Sequence, residues 1–360
     1  MRRVILIFLL ALFLSLQAGC SFYPAGFAFN GGKLENRADI RRIDPNSGPY
    51  SIEVIERVDG SRDYLWDIDS KIEQGGPGRI KYHARYSRDR FMVVEGRLSG
   101  RQEKYPVVLD TGASQAIFVK KSHVLENELA IYPLRSNRAD SKDYSFGLCY
   151  LPELQIGQIS LVDWPCLYLE GQLRSEFFGL LADRDDLVIV GLPALREFKY
   201  IAFDNISREA ELSSSKVFEP SEPDLWQQYP LSIEEDFYGN AFLFVRIPIA
   251  GVDMELQLDT GSGRGLAVSE QLWDDLRANV PDVKLKSGTE VYPYIGRLRC
   301  KRGVIAELKV GERSVVNAHA SVFPDDSPLV EDCGGLLGMQ YFSDTVTVLD
   351  FERELMWVKI

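Results

Sequence analysis

The chain has 360 residues, 45% of them hydrophobic, and its 41 basic and 53 acidic side chains leave a net charge of −12. That acidic balance weighs against a nucleic-acid partner, since binding to phosphate backbones is carried by clustered Lys and Arg. The three histidines, His83, His123 and His319, stand far apart. They fit neither zinc-ligand spacing nor a His-based triad, so no metal and no cofactor is expected.

In chain order, Met1-Arg2-Arg3 precedes an apolar run of thirteen residues from Val4 to Leu16. This is short for a membrane span and suited to a signal-peptide core. The following Leu16-Gln17-Ala18-Gly19-Cys20 resembles a bacterial lipoprotein cleavage box. The resemblance implies that 1–20 is a lipoprotein signal peptide, that Cys20 is lipidated, and that the protein faces the periplasm on a lipid anchor. Ordinary secretion with cleavage nearby is the alternative. Residues 21–85 are polar and Gly-rich, with one strand-like run around Tyr50 to Val58. They read as a tether carrying an added strand, or as a segment that occupies a cleft and restrains activity.

The next two segments, 86–212 and 238–360, repeat one another. Val107-Val108-Leu109-Asp110-Thr111-Gly112-Ala113-Ser114 is answered by Val188-Ile189-Val190-Gly191, and Leu256-Gln257-Leu258-Asp259-Thr260-Gly261-Ser262-Gly263 by Leu336-Leu337-Gly338. The spacing from triplet Asp to closing Gly is 81 residues in the first unit and 79 in the second. A single Asp-Thr-Gly arises by chance in roughly one chain in ten of this length. Here the surroundings repeat as well. Each triplet follows a hairpin-like pair of apolar runs, Phe91 to Leu98 with Tyr105 to Leu109, and Phe242 to Ile249 with Met254 to Leu258. Each precedes a Ser placed to cap a short helix, Ser122 and Ser269. Glu153-Leu154-Gln155-Ile156-Gly157 matches Glu307-Leu308-Lys309-Val310-Gly311, and both units close on a strand ending in Asp, at Asp204 and Asp350. Such a period predicts two homologous lobes. Short β-rich runs punctuated by Gly and Pro predict an all-β fold with barrel-like lobes. Between them, Ser213-Ser214-Ser215 through Pro220, Pro223 and Pro230 reads as an interlobe linker over 213–237,.

Asp-Thr-Gly after apolar residues, followed about 80 residues later by two apolar residues and Gly, resembles the pepsin and retropepsin aspartic proteases over roughly residues 86 to 360. Asp-Thr-Gly-Ala in the first unit resembles the retroviral-like branch and Asp-Thr-Gly-Ser in the second the pepsins. The resemblance implies a bilobal endopeptidase acting on protein or peptide substrates as a monomer, with Asp110 and Asp259 catalytic. It also implies that Thr111 and Thr260 bond across the lobe interface, and that a substrate-covering flap lies between each Asp loop and its closing Gly. Tyr144, Phe146 and Gly147 are the candidate tip in the first lobe, Tyr292, Tyr294 and Gly296 in the second. Ordinary hairpin aromatics are the equal alternative at both.

The chemistry is independent of the resemblance. Hydrolysing a peptide without a metal or covalent intermediate needs one group to take a proton from water and another to give one to the carbonyl. Two facing carboxylates do both, because like charges at short range share a proton and titrate as a unit. Asp110 and Asp259 are the only acids placed identically in the repeated loop. Gly112 and Gly261 permit a tight turn and close approach. Ser262 has a hydroxyl to offer its carboxylate and Ala113 has none, so the two acids should differ in environment. Gly191 and Gly338 are expected to mark a close backbone crossing. The glycine-rich run Gly261 to Gly265 lacks the strand, helix and acidic context of a phosphate loop and reads as flexible. The class alternative is a binding or scaffolding lipoprotein that keeps the fold without hydrolysis.

With Cys20 set aside, Cys149, Cys166, Cys300 and Cys333 remain, an even number for an oxidising compartment. If Gly157-Gln158 is a two-residue hairpin turn, Cys149 and Cys166 sit opposite one another, each eight residues from it. That predicts one disulfide between them and, by elimination, a second between Cys300 and Cys333. Four thiols is the alternative.

Overall fold

The computed structural model describes residues 50–56, 62–76, 78–84, 92–132, 145–170, 174–177, 180–183, 187–235, 241–280, 283–292, 296–331 and 333–360. The signal segment, Cys20, Tyr144 and Tyr294 lie outside them. Among the described residues, strands β1 (Tyr50–Glu56) and β2 (Arg62–Ile68) pair with one another in a two-stranded sheet.

The first part of the chain supplies β3 (Lys71–Gln74), β4 (Arg79–Lys81), β5 (Val93–Leu98), β6 (Tyr105–Asp110), β7 (Ile117–Lys120), β8 (Ala130–Tyr132), β9 (Ser145–Ile156), β10 (Ile159–Glu170), β11 (Arg174–Phe177), β12 (Leu180–Asp183), β13 (Val188–Gly191), β14 (Tyr200–Asp204) and β15 (Glu209–Ser213), of which β11 and β12 pair with each other and β11 joins the second lobe at Val291. Neighbour follows neighbour in the order β10, β7, β13, β6, β5, β9, and β9 pairs back onto β10, closing a six-stranded barrel. Alternation fills it: Val94, Val107, Leu109, Leu151, Leu154, Val188 and Val190 are fully buried, as barrel interiors require.

The second lobe uses β16 (Trp226–Glu235), β17 (Ala241–Ile249), β18 (Val252–Asp259), β19 (Leu266–Ser269), β20 (Lys286–Tyr292), β21 (Gly296–Val310), β22 (Arg313–Phe323), β23 (Gly335–Gly338), β24 (Val346–Asp350) and β25 (Leu355–Lys359). Its order β21, β22, β19, β23, β18, β17, with β17 returning to β21 at Ile249 and Val310, closes a second barrel of the same plan. The expected all-β, two-lobed architecture is therefore present, strand for strand. The hairpin turn considered at Gly157 forms, with Gly157 at φ +62°, and the matching Gly311, at φ +58°, turns the β21–β22 hairpin in the same left-handed backbone,.

Three expectations are corrected. Within 213–237, residues 226–235 are strand β16, which pairs first with β25 and then with β17. Pro230 falls at the changeover, where a missing ladder donor costs least. Within the extension, β3 lies on β10 and β4 on β15, and Ile80 and Tyr82 are buried. Residues 71–82 are thus part of the fold, attached through edge pairing that so few apolar residues do not advertise. Ser122 does not cap a helix: α1 (Lys121–Glu126) starts directly from β7 with Lys120 as its cap residue and no side-chain bond. The second short helix, α2 (Leu192–Leu195), follows β13. Ser269 does cap α3 (Glu270–Arg277), its hydroxyl accepting from the Leu272 N–H at 3.2 Å.

Strands β16, β25, β24, β14, β15 and β4 form one continuous run of neighbours. Because β14 and β15 belong to the first repeat and β24 and β25 to the second, this sheet ties the lobes together. Its register joins the two closing strands, Tyr200 opposite Asp350 and Asp204 opposite Val346.

Candidate active site

Both triplets end the same strand of their barrel. Asp110 finishes β6 and Asp259 finishes β18, and the parallel neighbours place Gly191 directly opposite Asp110 and Gly338 directly opposite Asp259. A Cβ on Gly191 would lie 2.0 Å from the Gln115 carbonyl oxygen, and one on Gly338 would lie 2.4 Å from that of Arg264. The closing glycines are thus needed because the Asp loop folds back over them. The Leu192 N–H donates to the Ala113 carbonyl at 2.9 Å, and the Met339 N–H to the Ser262 carbonyl at 2.8 Å.

The threonines cross the interface. Thr111 Oγ1 donates to the Leu258 carbonyl at 2.6 Å and accepts from the Thr260 N–H at 3.1 Å. Thr260 Oγ1 donates to the Leu109 carbonyl at 2.7 Å and accepts from the Thr111 N–H at 3.0 Å. Both side chains are buried. Four hydrogen bonds related by the internal repeat therefore lock the two loops in one register.

That lock presents each carboxylate to the other lobe. A Cβ on Gly112 would lie 2.7 to 3.1 Å from the Asp259 carboxylate, and one on Gly261 would lie 2.2 to 2.4 Å from that of Asp110. The Gly112 N–H donates to Asp110 Oδ1 at 2.9 Å. Gly112 thus touches both acids, one through its N–H and one across its bare Cα, which brings Asp110 and Asp259 into one small, partly buried volume at the lobe interface. The glycines keep this approach open, a sharper reason for them than turn geometry.

Ser262 departs from expectation. Its hydroxyl accepts from the Arg264 N–H at 3.3 Å instead of serving the neighbouring carboxylate. The loop continues through that residue into a buried polar cluster. Arg264 stacks on Tyr292, its guanidinium carbon 3.8 Å from the ring centroid. It donates to the Val291 carbonyl at 2.9 Å and pairs with Glu290 at 3.5 Å. Ser321 and Tyr292 hydroxyls complete the Glu290 carboxylate at 2.6 and 3.1 Å. Burial pushes the Tyr292 phenol well above its usual range, with Arg264 opposing and Glu290 reinforcing the shift. Arg264 sits in the glycine-flanked run that reads as flexible in sequence, and its side chain instead anchors that run to β20. The available signal was an arginine five residues after the triplet Asp259.

The flap candidates separate. Gly147 is no hairpin tip: it pairs with Tyr168 inside the β9–β10 ladder, and a Cβ there would lie 2.1 Å from the Tyr168 ring. β8 pairs with β9, Ala130 opposite Tyr150 and Tyr132 opposite Leu148, and Tyr144 lies outside the described residues. In the second lobe Tyr292 is buried beneath Arg264, while Gly296, at φ +91°, opens β21 immediately after the β20–β21 turn.

Neither expected disulfide is formed. Cys149 and Cys166 face each other across β9 and β10, as the turn arithmetic required, and are buried thiols. Cys300 faces Gly288 across the β20–β21 ladder, while the Cys333 thiol donates to the Leu329 carbonyl at 3.5 Å. Elimination supplied a partner that the register does not. Burial, with Glu290 next, pushes the Cys300 thiol up to about 12. His123 packs on the Tyr105 ring, centroids 4.6 Å apart, a core role. Among the described residues no cluster of His, Cys, Asp and Glu is arranged to hold a metal ion, and no helix is long and apolar enough to cross a membrane.

No protein-family model matches the sequence, and no curated protein matches it. Among solved structures the chain is similar to an aspartic proteinase from Irpex lacteus, at 10% identity and a TM-score of 0.47, over 79% of this chain and 97% of that one. At that identity, the chemistry of the site is carried by this chain's own residues.

Proposed function

We propose that this protein is an aspartic endopeptidase, which hydrolyses peptide bonds with a water activated between Asp110 and Asp259. The observation that carries the reading is reciprocal packing: each triplet glycine lies against the other lobe's carboxylate, and the threonines bond across the interface. One carboxylate takes a proton as the water oxygen attacks the substrate carbonyl carbon, and the other, protonated, gives its proton to the carbonyl oxygen. The tetrahedral diol then collapses, the C–N bond breaks and the leaving nitrogen takes a proton from the pair. The repeat makes the loops equivalent enough that either acid fits either role. The net charge of −12 favours substrates of basic character,.

The test is digestion of a peptide library from pH 3 to 8 by wild type, Asp110→Asn and Asp259→Asn. Wild type should cleave, and each substitution should lower kcat by about 10²- to 10⁴-fold. Cleavage at the wild-type rate by either variant would end the proposal. An inert wild type would favour the non-hydrolytic binding role.

We further propose that the protein acts outside the cytoplasm on a lipid anchor at Cys20, a reading that rests on residues 1–20 alone. Metabolic labelling with a radioactive fatty acid should mark wild type and leave Cys20→Ser unlabelled. Equal labelling of the two would refute it.

A further inference from the structure

We propose that Arg264 is a positioning residue, which holds the Asp259 loop in its working place by clamping it to the β20–β21 hairpin through buried Glu290. The proposal rests on the reading of Asp259 as catalytic.

Besides the Thr260 bonds to the first lobe, the loop that carries Asp259 is held by backbone bonds to residues 339 and 340. The Arg264 carbonyl accepts from the Gln340 N–H at 3.0 Å, and the Ser262 carbonyl from the Met339 N–H at 2.8 Å. The Arg264 side chain reaches β20 by three routes at once: the Val291 carbonyl, the Glu290 carboxylate and the face of Tyr292. Its own N–H fixes the Ser262 hydroxyl, three residues from Asp259. Only a planar, forked cation fits this combination of carbonyl, carboxylate and aromatic face.

The anion is equally committed. The Glu290 side chain is fully buried; one oxygen accepts from the Ser321 hydroxyl, and the other accepts from the Tyr292 hydroxyl and faces the Arg264 guanidinium at 3.5 Å as an ion pair. An unpaired carboxylate at such a depth is strongly unfavourable, so the pair is a one-position device rather than a surface tether. It is also asymmetric. The repeat places Gln115 at the equivalent point, five residues after Asp110, so the first loop has no cationic counterpart. Val291 has a second neighbour as well: it pairs with Glu176 of β11, a strand from the first repeat. The residue that Arg264 grips is therefore also the point where the first half of the chain joins the second-lobe hairpin, so movement of that junction reaches Asp259 through the guanidinium.

The experiment uses the full chain with Arg264→Gln and the near-isosteric Glu290→Gln, each confirmed folded by thermal melting. Amide hydrogen exchange is followed in peptides covering 259–266 and 110–116, alongside kcat and KM for a cleaved peptide. The expected result is at least about tenfold faster exchange at 259–266 with 110–116 unchanged. Turnover should drop about 10- to 100-fold with KM within about twofold, since displacement of a catalytic group slows chemistry more than binding. Unchanged exchange at 259–266, equal loosening of both loops, or an unaltered kcat would overturn the proposal. Asp259→Asn in parallel separates the two questions. If wild type and Asp259→Asn behave alike, the catalytic reading fails, and the exchange data alone then decide whether the clamp exists.

Discussion

Replacing Gly261 with Ala puts one methyl group against the opposing lobe's carboxylate. The added Cβ would lie 2.2 Å from Asp110 Cγ and 2.4 Å from both carboxylate oxygens, against an ordinary contact of 3.4 Å or more. Relief requires about 1 Å of movement, by the Asp110 side chain or by the loops. The neighbouring threonines oppose loop movement, because their four bonds hold the two backbones together. The carboxylate therefore yields first. Misplacing a catalytic group by about 1 Å costs on the order of 100-fold in rate, and overpacking costs about 1–3 kcal/mol of stability. Gly112→Ala has a nearest approach of 2.7 Å and should follow in the same direction with a smaller loss. Gly251→Ala is the control. It meets nothing within 4 Å, but its φ of +81° strains an alanine, so it should lose about 1–2 kcal/mol with kcat unchanged. The assay is steady-state peptide cleavage paired with thermal unfolding. If Gly261→Ala folds and turns over within twofold of wild type, the two acids do not work as one unit.

Thr111→Val strands the Leu258 carbonyl and the Thr260 N–H, and Thr260→Val strands the mirror pair. Each should destabilise by about 1–3 kcal/mol per stranded group, to a similar extent in denaturant titrations, and a large inequality would contradict the symmetric lock. Alkaline stability follows from the raised acids. Cys300, held near 12 by burial and Glu290, and the buried Tyr292 stay protonated when folded. The unfolded chain releases those protons near the ordinary values of 9.0 and 10.0. Their stabilisation is therefore complete below about pH 9 and lost as pH rises through the folded values. A denaturation midpoint that stays flat from pH 8 to 11 would count against this. The same raised thiol predicts slow alkylation of Cys300 at pH 8 until the chain is unfolded, because the thiolate is the nucleophile. Equal labelling of native and unfolded protein would refute it. A chain beginning at residue 86 loses β3, β4 and the buried Ile80 and Tyr82. It should be less stable than one beginning at residue 70 by about 1.5–3 kcal/mol for each buried side chain, as read from urea midpoints.

Much of the site was legible because the chain repeats itself. Duplication of Asp-Thr-Gly with a closing Gly nominated Asp110, Asp259, Gly191 and Gly338, and the register opposes them in pairs. Turn counting from Gly157 located Cys149 across from Cys166, since a hairpin's register is set by its loop,. Counting failed where partners come from elsewhere in the chain. Strand β16 looked like a linker because its partners, β25 and β17, lie on the far side of the second lobe's sequence or follow it only after a break. Gly147 looked like a tip because a glycine near aromatics suits a turn, whereas its bare Cα makes room for the Tyr168 ring across the ladder.

Taken alone, the amino-acid order determines the two barrels, their shared chain plan and the four loop residues that matter most, because periodicity, turn residues and repetition act over short distances. Tertiary structure alone decided how the lobes meet. It set Gly112 against Asp259 and Gly261 against Asp110, crossed the threonine bonds, and brought Arg264 to Glu290, 26 positions further along the sequence. These contacts depend on where separate strands pack, and packing is a property of the folded whole, so no local pattern announces it.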